Sequence, residues 1–169
     1  MTTTPSAPAK KKATFNTLTV SEVRALTSDS VEVSFAIPPE LQDDYDYIPG
    51  QYVALRATID GQEVRRSYSI CDVPRDGVLR VAIKRDRGGV FSTWANDTLQ
   101  PGDTMDVMNP QGAFTSKTHL TGLNNPEAVR EELEKLENPH LVAIAAGSGI
   151  TPIMAIAQTV LHSSPRHHF

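Results

Sequence analysis

The sequence predicts a mostly β fold. It reads as a six-stranded antiparallel Greek-key barrel with one short helix, followed by the strand–turn–helix opening of an α/β unit. Three observations carry this. Between Phe15 and Pro110, six runs alternate apolar and polar residues and are separated by tight-turn residues. A glycine-led stretch, 88–99, interrupts them with helical spacing. Beyond it, a charged helical stretch gives way to a continuous apolar run that ends in Gly147-Ser148-Gly149. Short strands joined by close turns favour a closed barrel over an alternating α/β sheet.

Each element follows in order. FNTLTVSEVRALT and VEVSFAI are two alternating runs with Ser28-Asp29 between them. GQYVALRATI and QEVRRSYSIC form a hairpin about Asp60-Gly61, a dipeptide suited to the positive φ angles of a two-residue turn. VLRVAIKR follows Arg75-Asp76-Gly77, and TMDVMNP follows Pro101-Gly102-Asp103. In GGVFSTWANDTL, Val90, Phe91, Trp94 and Leu99 leave a helical stripe. NNPEAVREELEKLENP is helical, with Asn125 as cap, Pro126 in the first turn and Pro139 as stop. HLVAIAAG reads as a buried strand, and TPIMAIAQTVLHS as a helix that Thr151 caps and Pro152 begins. The expected organisation is a disordered leader over 1–14, a barrel over 15–115, an inserted helical linker over 116–139 and the start of a second unit over 140–169. With no sheet to cover it, the last helix would expose Ile153, Ile156 and Val160.

Composition narrows the function. Hydrophobic residues make up 39% of the 169, enough for a core. With Lys10, Lys11 and Lys12 set aside, 13 of the 16 basic residues face 20 acids, which argues against a nucleic-acid partner. No apolar run approaches membrane-span length, and a cytoplasmic location is expected. A single cysteine, Cys71, can supply neither a disulfide framework nor a four-cysteine cluster, and it reads as a small buried side chain. The histidines are scattered or crowd the tail, so no metal site is expected. Asp43-Asp44-Tyr45-Asp46 reads as a solvated loop.

Three segments carry chemistry. In RRSYSIC, alternation sets Arg66, Tyr68 and Ile70 on one face and Ser67, Ser69 and Cys71 on the other, with same-face neighbours roughly 7 Å apart. A guanidinium, an aromatic ring and a hydroxyl in line suit a ligand with a phosphate at one place and a flat ring at another. In KRDRGGVFSTWA, Gly88-Gly89 precedes a helix start at Val90 to Ser92, where free N–H groups and the helix dipole favour an anion. Ser92 adds a donor, while Lys84, Arg85 and Arg87 add positive potential. In AAGSGITP, a glycine turn opens a helix, but Pro152 stands where a third glycine would complete a dinucleotide fingerprint. An ordinary barrel strand and a plain glycine turn remain open for the first two segments taken singly.

Taken together and in this order, the segments resemble the ferredoxin–NADP reductase superfamily of flavoproteins. Arg66-Ser67-Tyr68-Ser69 is similar to its R-x-Y-S flavin motif, Gly88-Gly89-Val90-Phe91-Ser92 to its pyrophosphate helix start, and Gly147 to Pro152 to the opening of its NAD(P)H unit. The resemblance implies FAD as cofactor. Arg66 would hold the pyrophosphate, Tyr68 would stack on the isoalloxazine, and Ser69 would hydrogen-bond near N5, so Tyr68 and Ser69 carry the catalytic role. Ile83 and Lys84 would line the ribityl and diphosphate region through their backbone. Gly89, Val90, Phe91 and Ser92 would cradle the pyrophosphate, and Thr151 would border the nicotinamide. NAD(P)H is the family's electron donor, expected to bind poorly here because the sequence stops within that unit. The expected acceptor is a ferredoxin-type domain or an oxygenase, within phenylacetate or other aromatic degradation. No [2Fe–2S] cluster is expected in a chain with one cysteine. The competing expectation is a non-catalytic barrel that docks a partner.

Overall fold

The structure, a computed structural model, describes residues 11–75, 77–114 and 142–163. Six strands form one antiparallel sheet: β1 (Phe15–Thr27), β2 (Ser30–Ala36), β3 (Tyr52–Ile59), β4 (Gln62–Ser69), β5 (Val78–Lys84) and β6 (Thr104–Met108). Their order is β4-β3-β6-β1-β2-β5, so the hairpins β1–β2 and β3–β4 interleave with β5 and β6 in Greek-key fashion. The two ends of the sheet meet where Ile70 bridges Val81 and the Cys71 N–H donates to the Arg80 carbonyl at 3.0 Å. That seam curls the sheet into a barrel.

Period-two patterning selects what faces inward. Leu18 and Val20 of β1, Val31, Val33 and Phe35 of β2, Val53 and Leu55 of β3, Leu79, Val81 and Ile83 of β5, and Met105 and Val107 of β6 are all buried. The β3–β4 turn works as expected: Asp60 and Gly61 take φ of +51° and +74°, the pair of positive angles a type I′ turn needs. Helix α2 (Val90–Asp97) closes one end of the barrel by burying Phe91 and Ala95.

The acidic stretch expected as a solvated loop is partly ordered instead. It forms a helical turn, α1 (Gln42–Tyr45). Tyr45 is buried there, and its hydroxyl donates to the Val107 carbonyl at 2.5 Å. A tyrosine can enter a core when its O–H finds an acceptor, and a run of acids does not announce that acceptor. Residues 11–14 of the expected leader are tied to the barrel. The Thr14 N–H donates to Asn109 Oδ1 at 3.0 Å, and Asn109 Nδ2 donates to the Lys12 carbonyl at 2.9 Å.

The second unit departs furthest from expectation. Residues 142–146, expected as part of a buried strand, have no ladder partner among the described residues, and Val142 and Ile144 are 90% and 95% exposed. Helix α3 (Ile150–Ser163) forms, but it begins one residue before Thr151. The tight turn Gly147–Gly149, with Gly147 at φ +55°, leads into it, so Thr151 lies in the first turn and is not a cap. Ile156 and Val160, expected to be exposed, are buried together with Ala155 and Ala157, and Ile153 is half-buried. The linker helix expected near 125–139 lies outside the described residues.

Candidate flavin site

The β3–β4 register pairs Ile59 with Gln62, Ala57 with Val64, Leu55 with Arg66 and Val53 with Tyr68. These pairs share a face, so Gln62, Val64, Arg66 and Tyr68 stand in line along β4. The far end of that line lies at α2, where the Tyr68 ring rests 5.8 Å from the Phe91 ring. Tyr68 is half-buried, and among the described residues its hydroxyl has no hydrogen-bond partner. Burial, reinforced by the Asp86 carboxylate and opposed by Arg66, pushes its phenol up to about 12. The ring therefore stays neutral at physiological pH and presents a polarisable face. β4 ends at Ser69, whose hydroxyl is also without a partner among the described residues.

Arg66 is exposed. Its guanidinium donates to the Arg65 carbonyl at 2.7 Å and meets no carboxylate among the described residues. The cations after β5 behave differently from expectation. Arg85 is held by both carboxylate oxygens of Asp97, which lowers the Asp97 carboxyl, and Lys84 lies 3.6 Å from Asp29. Arg87 alone of that group has no carboxylate partner among the described residues. Sequence spacing does not say which arginine finds an acid across the barrel.

The α2 N-terminus is built for an anion. Gly89 is its N-cap and offers no side-chain cap, so among the described residues the first N–H groups of the helix have no side-chain acceptor. A Cβ on Gly89 would lie 2.5 Å from Ser92 Oγ and 3.0 Å from Asp86 Cβ, so the loop can be this tight only with glycine. The preceding Gly88 takes φ +75°. Ser92 is buried and locks the loop: its Oγ accepts from the Asp86 N–H at 3.0 Å. Its hydroxyl thus shapes the cradle, a role beyond the extra donor expected.

The other expected residues take up different positions. Ile83 and Phe91 turn their side chains into the core, leaving only main chain for a ligand. The Ile83 carbonyl already accepts from Asn96 Nδ2 at 3.2 Å. Lys84 and Val90 are exposed. Thr151 is half-buried on α3, in the first turn of that helix. Where α3 approaches the barrel, a Cβ on Gly50 would lie 3.3 Å from Ile156 Cδ1 and 1.7 Å from the Phe114 carbonyl oxygen.

A clamp that sequence reasoning missed holds the exit of β4. Asp72 accepts from Arg80 at 2.5 Å, from Arg75 at 3.2 Å and from the Val73 N–H at 2.8 Å. Tyr47 donates to the Asp72 carbonyl at 3.1 Å, and Arg80 Nε reaches Ser34 Oγ at 3.1 Å. Burial, with Glu32 and Asp72 close by, pushes the adjacent Cys71 thiol up to about 12, so it is an inert, half-buried group.

Residues 17–116 match the family model of the oxidoreductase FAD-binding domain. The chain is 42% identical over 156 residues to one of the subunits of 1,2-phenylacetyl-CoA epoxidase from Escherichia coli K12, covering 92% of this chain and 40% of that protein. It is 36% identical over 146 residues to the ferredoxin reductase component of 3-ketosteroid-9-alpha-monooxygenase from Rhodococcus rhodochrous, covering 85% of this chain and 36% of that one. It thus spans about two-fifths of these relatives. Among solved structures it superposes on a cytochrome P450 reductase from Amycolatopsis with TM-score 0.68 and 28% identity, over 92% of this chain and 41% of the other. With its barrel order, its uncapped glycine cradle and its Arg-x-Tyr-Ser strand, the chain belongs to the ferredoxin reductase-type family of FAD-binding oxidoreductase domains.

Proposed function

We propose that the chain binds FAD along β4 and α2 and serves as the flavin stage of a reductase. The observation that carries the reading is one juxtaposition. A half-buried tyrosine face and an arginine that meets no described carboxylate stand in line on β4, with the Ser69 hydroxyl at the strand end, beside an uncapped helix N-terminus. Tyr68 would support the isoalloxazine ring, and Ser69 would donate toward its N5 edge. Arg66 and the main-chain N–H groups of Val90, Phe91 and Ser92 would hold the pyrophosphate, with Gly89 leaving room for it. Ile83 and Lys84 would flank the ribityl chain through their backbone, and Thr151 would stand on the nicotinamide side. When bound, FAD supplies hydride acceptance and single-electron release, so no side chain here has to act as a general base. The donor in this reading is NAD(P)H. The acceptor is an iron–sulfur protein or an oxygenase component, in the breakdown of phenylacetyl-CoA or a related aromatic compound.

Titration of the purified chain with FAD, followed by visible absorbance, tests this. The wild type should bind and perturb the flavin bands. Tyr68→Ala should weaken binding by at least tenfold and remove that perturbation. A protein that remains colourless after incubation with FAD overturns the proposal. It would leave a partner-docking module as the alternative, for which the exposed 142–146 run is the supporting observation.

A further inference from the structure

The two halves of the candidate site hang on strands at opposite ends of the sheet order. β4 carries Arg66, Tyr68 and Ser69. β5 carries the anion cradle, because α2 is tied to it. Asn96 of α2 donates to the Ile83 carbonyl at 3.2 Å, and Asp97 holds Arg85 just past the strand at 2.8 Å. A ligand that touches both halves binds best where their separation is already fixed. Yet β4 pairs along its length with β3, and toward β5 it makes one isolated bridge among the described residues, Ile70 to Val81.

What the ladder does not supply there, side chains do. The Asp72 carboxylate accepts from Arg80 Nη1 at 2.5 Å, and Arg80 Nε donates to Ser34 Oγ of β2 at 3.1 Å. Tyr47 is buried and donates to the Asp72 carbonyl at 3.1 Å. The Ile70 N–H donates to the Gln51 carbonyl at 2.9 Å, and the Cys71 N–H to the Arg80 carbonyl at 3.0 Å. Residues 70 to 72 are thus each pinned, and Ser69 directly precedes them. The Ser69 hydroxyl has no hydrogen-bond partner among the described residues, so the main chain alone aims it. A buried ion pair adds little stability over an apolar pair, but its partners must keep hydrogen-bond distance, and that fixes geometry.

We infer that Asp72 is a positioning residue for the flavin site. Through Arg80 it locks the exit of β4 onto β5, which aims Ser69 and sets the spacing between the ring half and the anion half. The inference rests on the FAD reading above.

The test measures FAD dissociation constants, and the midpoint potential of the bound flavin at saturating FAD, in the wild type, Asp72→Ala, Asp72→Asn, Ser69→Ala and Leu18→Ala. Leu18 is fully buried in β1, and truncating it destabilises the barrel without touching the seam. Asp72→Ala should lower FAD affinity tenfold or more and move the potential toward that of free FAD. Leu18→Ala should leave the potential at the wild-type value. Asp72→Asn keeps an acceptor for the Val73 N–H and for Arg80, so it should shift the potential the same way by less, and it decides the matter if Asp72→Ala does not fold. Ser69→Ala should shift the potential in the same direction, and adding either Asp72 substitution to it should shift it no further. A wild-type potential in the folded Asp72 variants, an equal shift in Leu18→Ala, or full additivity with Ser69→Ala overturns the positioning role and leaves FAD binding intact. A wild type that binds no FAD overturns the FAD reading, and the positioning role with it.

Discussion

Strand β2 and residues 142–146 are both short apolar runs, and they end in opposite environments. In β2, Val33 and Phe35 are fully buried between β1 and β5. In 142–146, Val142 and Ile144 are almost fully exposed. Their intrinsic preferences are alike. What differs is the neighbour: β2 has a ladder on each side, whereas 142–146 has none among the described residues. A strand becomes stable by pairing its main chain and covering its side chains, and propensity is subordinate to both.

The contrast can be broken hardest by alkali. Tyr68 and Cys71 both titrate high because the barrel buries them, and burial raises Tyr47 as well. A raised acid contributes stability that is complete below its unfolded value and is lost as pH rises through its folded value. The barrel should therefore lose its strand signal between about pH 9, where an unfolded cysteine titrates, and pH 12. Residues 142–163 contain neither tyrosine nor cysteine, so they add no titration of their own to this transition. Circular dichroism across a pH series would check this, and a barrel still intact at pH 12 would contradict it.

The next effects are substitutions. Asp72→Ala strands Arg80 at the barrel seam and should cost about 3 kcal/mol in urea unfolding, toward the lower end for a broken buried pair because Arg80 is partly exposed. Leu55→Ala, at a fully buried position in β3, should cost about 3 kcal/mol. Gly50→Ala tests the junction between the two regions. At φ +98°, with the Phe114 carbonyl in the way, it should cost about 2 kcal/mol and loosen α3 more than the barrel, as hydrogen exchange would report. The smallest effect belongs to Ile144→Ser, which should change stability by less than about 0.5 kcal/mol. An Ile144→Ser cost near that of Leu55→Ala would show that 142–146 is covered and would end the contrast.

Much of the site is legible in the sequence because it is local. Arg66, Tyr68 and Ser69 sit on one strand, and Gly88 to Ser92 in one turn, so period two and a glycine pair are enough to propose them. The same reasoning fails for Tyr45, whose acceptor is the Val107 carbonyl, and for Asp72, whose partner Arg80 lies on another strand. It also fails to distinguish Arg85, which Asp97 neutralises, from Arg66, which no described acid reaches.

By itself the sequence determined the six strand segments, the Asp60-Gly61 turn and the order of the ligand-facing residues along β4. These depend on alternation and on backbone angles that few residues accept. Only the tertiary structure decided which charges remain free, which end of the barrel closes, that Ile83 and Phe91 offer main chain alone, and that 142–146 has no ladder partner among the described residues. Those outcomes depend on which atoms from distant positions come within a few ångströms of one another, and spacing along the chain does not encode that distance.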